Sequence, residues 1–139
     1  MAGIARPLLL VAAGGMAGAI SHRLAQRSSH PAAISGLSLV AAAATYRATD
    51  PHGERGSARS REVAGVGVTA LVGLASLLAP RRAGTRILAV GWLAHAGFDA
   101  VHHRNSSSRL PDWYPAVCAG FDIAVAAQLM RSAPARVQP

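Results

Sequence analysis

What most constrains this chain is where its charges are missing. Five stretches, residues 4–20, 31–46, 63–79, 87–101 and 113–130, hold only three of the twenty Asp, Glu and Arg side chains, namely Arg6, Asp99 and Asp122. A helix at a soluble surface needs a polar stripe, yet residues 63–79 offer only Thr69 and Ser76. Charge segregated this way is what a bilayer imposes, since ionised groups are expelled from hydrocarbon. With 139 residues the chain has room for one domain. The fold expected is all-α: a polytopic transmembrane helical bundle of about five spans, integral to the cell (plasma) membrane.

Each stretch has 15 to 18 residues, short of the roughly 20 that cross a hydrocarbon core of about 30 Å. Flanking Ser, Thr and His, together with snorkelling Arg side chains, extend them to span length. A soluble bundle with buried core helices is the competing reading, because runs of this length also occur there. At the N-terminus, Arg6 followed by Leu8 to Val11 and the small residues near Ala17 and Ala19 resembles a signal peptide. A single positive charge before the apolar run favours an uncleaved first span instead.

The net charge of +8 comes entirely from arginine: all fourteen basic residues are Arg. They are spread over every loop and not gathered on one element. Nucleic acid is therefore not the expected partner, and contacts to anionic lipid head groups are. With five spans, the arginines divide seven to seven between the two sides, so the positive-inside rule gives no orientation. The one cysteine, Cys118, excludes an intramolecular disulfide.

Turn chemistry marks the breaks. Residues 47–62, with Asp50-Pro51-His52-Gly53, form the longest loop; Pro80 to Gly84 is a tight stop and restart; Asp112 is a candidate N-cap for the last helix; residues 131–139 read as a short disordered tail. Trp113 and Tyr114 suit an interface. The spacings Gly14-x3-Gly18, Ala13-x3-Ala17 and Ala116-x3-Gly120 would let helix backbones approach closely, within the chain or in a homo-oligomer.

Chemistry concentrates in the last two stretches. At about 100° per residue, His95, Asp99, His102 and His103 fall on one helical stripe with Gly91. Tyr114, Cys118 and Asp122 recur at i, i+4 and i+8 on the next. The loop between is short, so the helices are antiparallel neighbours and residues at equal depth share a constant sum. His95 then stands level with Asp122, Asp99 with Cys118, and His103 with Tyr114. A shared polar seam follows, running about 11 Å inward from the helix ends. An ionisable residue at that depth must face the bundle interior.

Three meanings fit such a seam. His95, Asp99, His102, His103 and Asp122 are candidate ligands of a divalent metal, because imidazole and carboxylate at i, i+4 and i+7 share a face; a metal-dependent membrane enzyme is one form of this reading. The row equally suits a proton relay or the binding of a small polar ligand, with His titrating near neutrality. In the third, His95, Asp99 and Asp122, with Tyr114 and Cys118 as seam partners, make only interhelical hydrogen bonds. A Cys118 nucleophile paired with His95 needs reach across about one helical turn, and a small buried hydrophobe is the plainer role. No phosphate-binding Gly-rich loop, Cys pair or Gly-x-Ser-x-Gly elbow is present.

The segment from Gly91 to Asp122, a quarter of the chain, resembles the terminal hairpin of an uncharacterised family of small bacterial polytopic integral membrane proteins. Its pattern is His-Gly-x-x-Asp-x-x-x-His-Arg followed by Trp-Trp-Pro-Pro-Phe-Cys-x-x-x-Asp. Here His95, Asp99, His103, Trp113, Pro115, Cys118 and Asp122 match, while Tyr114 replaces the second Trp and Ala116-Val117 replace Pro-Phe. The resemblance implies a polytopic topology and no particular activity.

Overall fold

The computed structural model describes residues 2–49, 56–105 and 110–132. Among them are five α-helices and no strand: α1 (Ala2–Gln26), α2 (Pro31–Thr49), α3 (Ser57–Leu78), α4 (Arg81–Asn105) and α5 (Tyr114–Ser132). Each helix extends beyond its charge-free stretch, because the flanking Arg, Ala, Ser and His residues continue a helix readily once its centre is fixed. Arg131 and Ser132 belong to α5, and residues 133–139 lie outside the described residues, as do 50–55 of the long loop.

The breaks have local causes. Pro31 opens α2 at the first helical position, where its missing N–H costs nothing. Ala79 is extended, as a residue before proline should be, and its N–H closes α3 on the Ala75 carbonyl. Pro80 then accepts from Gly84 N–H at 2.9 Å, so α4 starts after two residues. At α5 the sequence expectation is corrected by one position. The Trp113 carbonyl accepts the first helical bond, from Val117 N–H at 3.3 Å, so Trp113 and not Asp112 is the cap residue.

Helix α4 is the centre of the bundle, packed against α2, α3 and α5, while α1 lies along the far side of α5. Leu88, Ala89 and Trp92 of α4 meet Leu39 of α2 and Val125, Ala126 and Leu129 of α5 in the buried core. The Trp92 indole N–H donates to Ser35 Oγ at 3.1 Å. Helices α1 and α5 run parallel, as first and fifth members of an up-and-down bundle must. A Cβ on Gly14 would overlap the Val117 carbonyl, one on Gly18 the Phe121 carbonyl, and one on Gly120 the Val11 carbonyl. The Gly14 and Gly18 pair of α1 and Gly120 of α5 thus bring the two helices together, backbone against backbone.

Among the described residues, two helical segments, Ala5–Gln26 and Arg59–Leu78, are long and apolar enough to cross a membrane. Besides the apolar core, large apolar side chains also lie on the outside and several ionisable ones inside. Leu9, Leu37, Leu71, Leu78 and Val90 are all more than 60% exposed, whereas His22, Glu62, His95, Asp99 and Asp122 are buried.

Candidate functional site

Three buried ionisable groups, His95, Asp99 and Asp122, meet where α4 faces α5 and α2. One turn of α4 carries both His95 and Asp99, and the antiparallel register with α5 brings Asp122 opposite His95. His95 Nδ1 and Asp122 Oδ2 are 2.9 Å apart, a hydrogen bond across the helix pair. On the other edge of the ring, His95 Nε2 lies 3.7 Å from Asp99 Oδ1. That separation is too long for a hydrogen bond. Asp99 and Asp122 are each only 1% exposed and His95 5%, so water does not screen them.

The protonation pattern of this row is set by its one short bond. With Nδ1–H donating to Asp122, a neutral imidazole presents its Nε2 lone pair toward the Asp99 carboxylate, which also only accepts. Neither Nε2 nor either Asp99 oxygen meets hydrogen-bond geometry with a partner among the described residues, although the Ala42 backbone of α2 lies close to the His95 ring. Two acceptors facing each other in a low-dielectric interior repel, and a buried carboxylate without a partner is costly. A cation or a shared proton between them removes both penalties. One potential ligand atom from each of His95, Asp99 and Asp122 lies within 4.8 Å of the other two.

Further along the row, Cys118 is partly buried, within electrostatic reach of Asp99 and Asp122 and hydrogen-bonding reach of Tyr114. Tyr114 also reaches Thr45 of α2. The helical backbone of α4 continues through His102 and His103, but their side chains lie outside the described residues. The structure therefore brings together five of the seven residues singled out from sequence.

It also adds two. Tyr46 of α2 is buried between the rings of Phe98 and Tyr114, at 6.4 and 6.3 Å with edge-on geometry. Glu62 of α3, also buried, is within electrostatic reach of Tyr46. A lone Tyr at the end of an Ala-rich run and a lone Glu heading an apolar one were the available signals. Their meaning depends on α2 and α3 lying against α4, which no local pattern specifies. Comparison with family models, curated proteins and solved structures gave no match.

Proposed function

We propose that this chain is a five-span integral membrane protein of the cell membrane, of the small bacterial kind its terminal hairpin resembles, and that it holds a divalent cation between His95 and Asp99. The membrane reading is supported by the large apolar residues that face outward on all five helices and by the inward-facing carboxylates Glu62, Asp99 and Asp122. Orientation-reporter fusions in the 47–62 loop and at the C-terminus test it. Five spans require opposite sides, and a same-side result contradicts the count.

The observation that carries the cation reading is the pair of unpartnered acceptors facing each other at 3.7 Å in a buried site. Two ligands at about 2.0–2.2 Å from one ion lie at a comparable separation. Asp122 then acts as a positioning residue: its bond to Nδ1 fixes the tautomer and turns Nε2 toward the ion. Metal analysis of protein purified in detergent and loaded with Zn²⁺ or Mn²⁺ is the test. One equivalent in the wild type, none in His95→Ala or Asp99→Asn, and about 10- to 100-fold weaker binding in Asp122→Asn is the expected pattern. No metal in the wild type contradicts it.

A proton relay is the second reading, favoured by the row from Asp122 and His95 through Asp99 to Cys118 and Tyr114 at the start of α5. It is preferred if the protein takes up no metal while His95→Ala abolishes proton flux into vesicles.

A further inference from the structure

Beside the polar row, a cavity of about 420 Å³ opens between α3 and α4. That volume lies in the range of ligand sites, roughly 300–1,000 Å³. Small residues create it: Ala64 and Gly65 on α3 and Gly91 and Ala94 on α4 leave a trough where larger side chains would otherwise meet. The trough is lined mostly by apolar groups, with Arg61, Thr69 and His95 as the polar exceptions. Arg61 stands at its outer end, and the His95 ring forms part of its wall. Gly65 lies level with Phe98 and Gly91 with Val72, so from Arg61 to the level of Val72 the trough runs eleven residues of α3, about 16 Å at 1.5 Å per residue. Val68 and Leu71 beside it, and Val90 and Leu93 opposite, are exposed, so the trough is continuous with the apolar outer surface.

We propose that this trough seats one acyl chain of an anionic phospholipid drawn from the surrounding bilayer, with the lipid phosphate on Arg61 and the chain lying over His95. The inference rests on the membrane reading above and is independent of the metal. Length, apolar lining and lateral opening suit a hydrocarbon chain. The guanidinium at one end suits a phosphate, which it can bind in bidentate fashion at head-group level. An uncharged or zwitterionic head group loses that complementarity. A chain in this position lies over the His95 end of the buried row, the one member of that row that lines the trough.

Native mass spectrometry of delipidated, detergent-solubilised protein, titrated with dioleoyl phosphatidylglycerol or dioleoyl phosphatidylcholine, tests the assignment. The expected result is one phosphatidylglycerol retained about fivefold more tightly than phosphatidylcholine, the effect of one arginine near an anionic surface. Arg61→Gln removes this preference and leaves weak binding of both lipids. Gly65→Leu fills the trough and removes both; a Cβ there meets only the Phe98 ring, at an ordinary 3.7 Å, so the helices need not part. An unchanged helical circular-dichroism signal checks that both variants fold. Equal retention of the two lipids by the wild type, or undiminished retention by Gly65→Leu, overturns the proposal. Recovery of the chain in the aqueous fraction without detergent overturns the membrane reading itself, a different result from a membrane protein that shows no lipid preference.

Discussion

The two seams that α5 makes are built on opposite principles. Toward α1 it presents Gly120 and the Val117 and Phe121 carbonyls to Gly14 and Gly18, a contact of backbone with backbone, with His22 reaching Ser132 at its far end and no carboxylate in it. Toward α4 it presents Asp122 and Cys118 to His95 and Asp99, with acceptors left unpartnered. On the membrane reading proposed above, apolar burial between helices gains little, and the first seam would draw its strength from close van der Waals packing. The second carries a polar cost that packing has to offset. A helix pair meant only to hold together has no need of Asp99. The α1/α5 contact shows that this chain can build such a pair without one.

Substitutions that break the glycine seam should have the largest effect. Gly14→Leu drives a side chain into the Val117 carbonyl, and a loss of about 3 kcal/mol or more, or failure to recover folded protein, is expected in thermal unfolding in detergent. The polar seam responds unevenly. Asp122→Ala strips His95 Nδ1–H of its acceptor and should cost about 1–3 kcal/mol in metal-free protein. Asp99→Asn in the same metal-free protein should cost nothing or stabilise, because it replaces a carboxylate that faces a lone pair. Equal losses from Asp99 and Asp122 would mean that both are structural glue. Away from both seams, Ser35→Ala removes the acceptor of the Trp92 indole N–H and should cost about 1 kcal/mol, read from the shift in melting temperature. The smallest effect has the opposite sign. Gly67 has open space around its Cβ position, so Gly67→Ala should stabilise α3 by up to about 1 kcal/mol. Destabilisation by Gly67→Ala would show that the outward face of α3 is covered.

Much of this was legible in the sequence for identifiable reasons. Charge-free stretches marked the five helices because apolar content is a property of composition, readable without knowing partners. The pairing of His95 with Asp122 followed from antiparallel geometry across a short loop, which fixes register locally. Small-residue spacing in α1 and α5 signalled close approach, but nothing along the chain said that these two helices, the first and the last, pair with each other. Tyr46 and Glu62 were hidden for the same reason: their place beside Phe98 and Tyr114 depends on how α2 and α3 fold back on α4. The cap at α5 shifted from Asp112 to Trp113 because a backbone carbonyl can accept the first helical bond whatever its side chain.

The central claim is that Nε2 of His95 and the Asp99 carboxylate share a cation, and the melting temperature of the detergent-solubilised protein with and without Zn²⁺ tests it most directly. A ligand at 100 times its dissociation constant stabilises the folded state by about 2.7 kcal/mol. The wild type should melt at a correspondingly higher temperature with metal, and Asp99→Asn should not respond. No shift in the wild type, or the same shift in both proteins, contradicts the claim.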